Sequence, residues 1–193
     1  YQCLLGKLRK VDYLQGDETE IKVQDPDVVE KLFLGYFWGA HAPEIKLAAF
    51  TYFASRAGAA AKDMFKGFEG TLQTDCYAGY NPVLLPDKVV RLACLAHIRR
   101  KFIEATKSAP TECNHVVALI AKLYQIEKIA KDYTPEKRKA LRDKHAPPIL
   151  EVLEKYLKQI QLSTLPKAPV QEAINYTLKQ WPEVLRYLED GRF

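Results

Sequence analysis

The hydrophobic pattern of this chain changes period once, near residue 94, and that change constrains the fold more than any motif does. Upstream, apolar residues come in short runs. Ile21 and Val23 alternate with Lys22 and Gln24, and two aromatic-rich runs, Leu32 to Ala40 and Leu47 to Phe53, flank a connection containing Pro43. Such runs suit neighbouring antiparallel strands, because large flat and β-branched side chains pack well on a pleated surface. Downstream, Val116, Leu119, Ile120 and Leu123 recur at the spacing of one helix face, as do Leu150, Leu153, Leu157 and Ile160. Strands first, one helix among them, then a long helical half predicts an α/β fold: a mixed sheet covered by helices. An all-α or sandwich architecture does not fit that order.

Within the first half, Leu14 to Val23 reads as a strand run broken by Gly16-Asp17-Glu18-Thr19, and Asp25-Pro26-Asp27 as a turn. Ser55 predicts the cap of a helix over Ala57 to Phe65, ended by Gly67 to Gly70. A short strand, Thr71 to Thr74, runs into Asp75, and Val89 to Cys94 reads as another. The aromatic run Tyr36 to Trp38 reads as sheet core rather than as a platform for stacked bases. From His97 a helix carries Ile98, Phe102, Ile103 and Thr106 on one face. Pro147 and Pro148 predict the start of the helix bearing Leu150, where a missing N–H costs nothing. The charged stretch Lys131 to His145 before it reads as a solvated helix or loop, with Lys137-Arg138-Lys139 on its wet face, DNA contact being the alternative. Leu162 to Pro169 reads as a linker, Val170 as the start of a helix through Trp181, and Pro182 as the start of a further turn.

Length and charge then narrow the function. With 193 residues the chain can bury a sizeable core. Its formal net charge of +5 favours a polyanionic partner. No run approaches the roughly 18 apolar residues of a membrane span, and no amino-terminal block has the layout of a secretion signal. Tyr1 to Leu8 read as the interior of a domain, so the sequence is expected to be cut from a longer protein. Cys3, Cys76, Cys94 and Cys113 lack the paired spacing of zinc ribbons and read as reduced thiols. The Cys94-x-x-His97 step has no second pair to complete a zinc site.

Two acids stand out. A carboxylate inside a strand is costly unless water, hydrogen bonds or a cation receives it. Taken singly, Asp17 reads as a solvent-facing strand residue or a bulge position, and Asp75 as a helix or turn cap. Taken together, acids at the ends of adjacent strands suit hard cations such as Mg²⁺, which take a few carboxylate oxygens beside water and substrate phosphate. Two such ions serve phosphoryl transfer by helping both the attacking and the leaving oxygen.

At these segments the sequence resembles the catalytic domain of insertion sequence 66 family transposases, of the DDE superfamily. The matching stretches are Asp17-Glu18-Thr19, Gly35 to Trp38, Ser55-Arg56, Leu72 to Asn81, Cys94 to Phe102, and Tyr187 to Arg192. The family usually has Gly where Cys76 stands. The resemblance implies a ribonuclease H-like fold with a helical insertion in its second half. Residues 1–109 would be the first part of the core, 110–169 the insertion, and 170–193 the last core helix. It implies Asp17 and Asp75 as the first two catalytic acids and ligands of Mg²⁺ or Mn²⁺. A third acid is expected past the Asp190-Gly191-Arg192 step, beyond Phe193, and the chain alone is expected to be inactive. His97, Arg99, Arg100 and Lys101 would contact DNA, the alternative being an exposed helix face. The implied setting is the bacterial cytoplasm. The implied partners are transposon ends and target DNA, with room for a homo-oligomer and no membrane. A ribonuclease H-like nuclease without strand transfer, and a non-catalytic DNA-binding or assembly module, are the alternatives.

Overall fold

The computed structural model describes residues 2–24 and 32–193. The chain divides into two compact units, Tyr1–Leu92 and Ala93–Phe193. Among the described residues the strands are β1 (Tyr13–Gln24), β2 (Leu32–Ala42), β3 (Leu47–Phe53), β4 (Gly70–Thr74) and β5 (Val89–Ala93), in one sheet of order β3-β2-β1-β4-β5. β1 runs antiparallel to β2, from Gln15↔His41 to Gln24↔Leu32, and β2 runs antiparallel to β3. β4 lies on the other side of β1 and parallel to it, through Tyr13↔Thr71, Leu14↔Leu72 and Gln15↔Gln73. Three antiparallel strands with a parallel fourth beside the first form the mixed sheet of an α/β, ribonuclease H-like fold.

The expected break at Gly16 to Thr19 does not occur. Every residue from Gln15 to Gln24 pairs with β2, so the backbone groups are satisfied and the strand runs through. Gly16 serves packing instead, since a Cβ there would lie 2.7 Å from the Phe65 ring. The expected turn at Asp25-Pro26-Asp27 lies outside the described residues.

One face of the sheet buries Leu14, Trp38, Ala40, Ala49 and Leu72. Helices α1 (Gln2–Leu8) and α2 (Gly58–Met64) contribute Leu5, Leu8, Ala60, Ala61 and Met64 to the same core. Each large side chain fully buried this way contributes roughly 1.5–3 kcal/mol relative to exposure. The amino-terminal helix was not expected from the sequence. Ser55 does not cap α2: Ala57 holds the cap position with no side-chain bond, and Ser55 Oγ accepts from Ala57 N–H at 3.0 Å. The core expectation for Tyr36 to Trp38 holds only in part. Trp38 is fully buried, its ring 5.3 Å from that of Tyr80, whereas Phe37 points the other way and is 39% exposed.

The second unit holds α3 (Leu95–Ala105), α4 (Pro110–Ile129), α5 (Pro135–Ser163), α6 (Pro169–Lys179) and α7 (Trp181–Leu185). α3 and α5 each pack against both α4 and α6. Helix α5 corrects the expected start at Pro147 and Pro148. It begins a full three turns earlier, where Thr134 Oγ1 accepts from Lys137 N–H and Pro135 takes the first position. Both prolines sit inside it, exposed, as are Asp143 and Lys144, whose carbonyls they leave without a helical donor. Water can meet those carbonyls, while Arg142, Ala146, Leu150, Leu153, Leu157 and Ile160 keep one buried face continuous through the interruption.

Arg138 departs from the wet face expected for it. It donates to the carbonyls of Ala130 and Lys131 at the end of α4, and to that of Gly191.

Candidate active site around Asp17 and Asp75

The register of β1 against β4 places the two acids. Their last shared rung is Gln15↔Gln73, and Asp17 and Asp75 each lie two residues further on. In a parallel pair, equal steps from one rung reach the same level. Asp75 comes just as β4 ends at Thr74, whereas β1 continues, paired to β2 through Asp17↔Gly39. Side chains along the row before them already meet. Tyr13 Oη and Gln15 Nε2 both donate to Gln73 Oε1, at 2.7 and 3.0 Å, and His41 Nδ1 lies 2.8 Å from Gln15 Oε1. Asp17 is exposed, and its Oδ1 accepts from the Glu18 N–H at 3.1 Å.

Asp75 sits on a sharp turn. Cys76 has φ 61°, in the left-handed region that favours glycine, which accounts for the Gly usual there in the resembling family. Thr74 is buried with its Oγ1 accepting from Cys76 N–H, and Asp75 Oδ1 accepts from Tyr77 N–H at 2.9 Å. Asp75 therefore is a turn cap, the plain reading of its sequence, and this holds the carboxylate at the strand end.

Glu18, Arg56 and Tyr80 had no role assigned from the sequence, yet they build the surroundings of Asp75. The side chain of Glu18 is only 2% exposed. Its Oε2 accepts from Tyr80 Oη at 2.6 Å, and its Oε1 from Arg56 Nε at 2.8 Å. Arg56 Nη2 lies 2.6 Å from Glu18 Oε1 and 3.9 Å from Asp75 Oδ2, and its guanidinium stacks 4.1 Å above the Tyr77 ring. Burial pushes the Glu18 carboxyl above its ordinary value; the Tyr80 and Arg56 hydrogen bonds pull it only part of the way back. Burial, then the bond to Glu18, drive the Tyr80 phenol far above its usual range, with Asp75 and Asp17 adding to the push. Tyr80 thus stays a neutral donor.

His97, Arg99, Arg100 and Lys101 lie in the second unit, on α3. They do not form one exposed cationic face. Arg100 is exposed, Arg99 Nε is buried, and Lys101 Nζ lies over the Tyr176 ring at 4.5 Å. Burial raises the Cys94 thiol, but hydrogen bonds from the side chain and backbone of His97 outweigh it and leave the thiol below its ordinary value.

Asp17 and Asp75 offer carboxylate oxygens, the donors Mg²⁺ and Mn²⁺ take. Among the described residues no group of three or more His, Cys, Asp or Glu side chains could hold a metal ion. No helix among the described residues is long and apolar enough to cross a membrane.

A protein-family model described as "Transposase IS66 family" matches residues 1–193. The chain is 27% identical over 205 residues to the uncharacterized protein y4jD of Sinorhizobium fredii (strain NBRC 101917 / NGR234), covering 99% of this chain and 40% of that protein. It is 29% identical over 207 residues to the uncharacterized protein y4hP of the same strain, covering 93% and 36% respectively. The chain thus spans well under half the length of these relatives. No solved structure matches it.

Proposed function

Because the chain belongs to the transposase IS66 family, we propose that it forms part of the catalytic domain of a DNA transposase that cuts and rejoins DNA strands at Asp17 and Asp75. The observation that carries this reading is the register of β1 against β4, in which Asp17 and Asp75 each come two residues after the shared rung Gln15↔Gln73, Asp75 just past the end of β4. Cleavage is the in-line attack of water on a phosphodiester at an element end, which forms a new P–O bond and releases a 3′-hydroxyl. Strand transfer is the attack of that hydroxyl on a phosphodiester of target DNA, with a target 3′-oxygen leaving.

In this reading Asp17 and Asp75 would hold Mg²⁺ or Mn²⁺, which would supply positive charge for phosphoryl transfer. The residues themselves position. The Cys76 turn and the Tyr77 N–H fix Asp75, and the pairing of β1 with β2 fixes Asp17. A third carboxylate past the Asp190-Gly191-Arg192 step belongs to the same proposal, as do DNA contacts from His97, Arg99, Arg100 and Lys101.

The test is nicking and joining of duplex DNA carrying the element's ends, by the intact protein with Mn²⁺ or Mg²⁺. Asp17→Asn and Asp75→Asn should each abolish both products while the folded protein still binds DNA. Cutting that survives either substitution contradicts the proposal. Cutting without joined product points instead to a ribonuclease H-like nuclease.

A further inference from the structure

We infer that Arg56 is a phosphate-binding residue of this site, its guanidinium receiving a non-bridging oxygen of a DNA phosphodiester beside Asp75. The inference rests on the reading of Asp17 and Asp75 as the site of phosphoryl transfer, and it adds a residue to which no role has been given.

The geometry divides the guanidinium into two edges. One edge, Nε and Nη2, is spent on Glu18 at 2.8 and 2.6 Å. Among the described residues Nη1 has no hydrogen-bond partner, and the side chain is 40% exposed. A cation present only to neutralise a buried carboxylate has no reason to keep half its surface in water. Glu18 already receives the Tyr80 hydroxyl, so Arg56 completes a carboxylate that is well supplied.

Arginine suits this division because its planar fork can grip a carboxylate along one edge and offer the other to a second oxyanion. The stack on Tyr77 and the bonds to Glu18 hold the fork in place before DNA arrives, so little side-chain freedom is lost on binding. Electrostatics point the same way. Asp17, Glu18 and Asp75 gather three carboxylates at one end of the sheet, and a phosphodiester approaching them is repelled unless a fixed cation offsets them. Arg56 Nη2, 3.9 Å from Asp75 Oδ2, is placed to do so without occupying that oxygen at hydrogen-bond distance.

The experiment measures the affinity of the full chain for a short DNA duplex by fluorescence anisotropy across a salt series, with EDTA present. Loss of one phosphate contact should flatten the slope of log K against log salt by about 0.9. Arg56→Ala should show that flattening, and Arg56→Lys should keep the wild-type slope. Arg56→Gln, which can still bond Glu18, carries the same expectation as Ala and replaces it if Ala does not fold. Mn²⁺ binding to the same proteins keeps the two readings apart. If Asp75→Asn loses Mn²⁺ while Arg56→Ala and Arg56→Gln keep the wild-type slope, the inference falls and the metal-site reading stands. If the slope flattens in those variants while Asp75→Asn still binds Mn²⁺, Arg56 is a DNA contact and the metal-site reading falls. Wild-type chain with no salt-dependent DNA binding also overturns the inference.

Discussion

The two units each contain an arginine and a tyrosine that both donate to one glutamate, and they use the set for opposite ends. In the first, Tyr80 Oη donates to Glu18 at 2.6 Å and Arg56 binds the same carboxylate. In the second, Tyr187 Oη donates to Glu127 at 2.7 Å and Arg142 grips that carboxylate through Nε and Nη2 at 2.8 and 2.7 Å. Each guanidinium also lies over a tyrosine ring, Tyr77 in one case and Tyr187 in the other. The difference is which charge is hidden. In the first set the carboxylate is 2% exposed and the arginine 40%; in the second the arginine is 1% exposed and the carboxylate 30%.

A buried arginine must satisfy its donors inside the protein. Arg142 spends the rest on the carbonyls of Tyr187, Asp190 and Phe193, and so ties the end of the described chain to α5. Gly191 passes so close to the Pro135 carbonyl that no Cβ could be accommodated. An arginine left half in water, like Arg56, can instead present a donor edge to a ligand. Three side-chain types thus build a lock in one unit and an open cation in the other.

The largest effect should come from breaking the lock. Arg142→Ala removes a donor from three carbonyls and both guanidinium bonds from Glu127, which keeps only Tyr187, and should cost about 3 kcal/mol, read as a lowered urea midpoint. Comparable loss from Arg56→Ala would erase the distinction between the sets. Next come the tyrosines. Tyr80→Phe removes a bond to a nearly buried carboxylate and should cost roughly 2 kcal/mol in thermal or urea unfolding, and Tyr187→Phe roughly 1 kcal/mol, since Glu127 is wetter. The reverse order would show that exposure of the carboxylate does not set the value of these bonds.

The smallest effect is a pH dependence at the locked end. The Arg192 side-chain bond holds the Asp190 carboxyl below its ordinary value of 3.8. A lowered folded value means that this stability is present above the unfolded value and is lost as pH falls through the folded one. Wild type should therefore exceed Asp190→Asn by less than about 1 kcal/mol at pH 7, with the gap closing as pH drops below 3.8. A gap that widens in acid would contradict the assignment.

These sets also mark where the sequence could be read and where it could not. Strands β2 to β5 and the apolar faces of α4, α5 and α6 were legible because each depends on side chains two to four positions apart. The unbroken course of β1 was not, since it depends on β2 pairing across every residue from Gln15 onward. The passage of α5 through Pro147 and Pro148 was missed because a strong local stop signal was outweighed by a buried face extending on both sides. Within the candidate site, Asp17 and Asp75 were visible as acids in strand context. Glu18 and Arg56 stood beside quoted motifs, but what sets their role is contact across 62 and 38 residues, with Tyr80 and with each other. Nothing local signals that a glutamate next to an exposed aspartate is buried.

Calorimetric titration of the chain with Mn²⁺, alongside Asp17→Asn and Asp75→Asn, tests whether these two carboxylates hold a metal ion. The wild type should bind saturably, and either substitution should abolish that binding or weaken it at least tenfold while the fold is kept. Binding that is indifferent to both substitutions would contradict it.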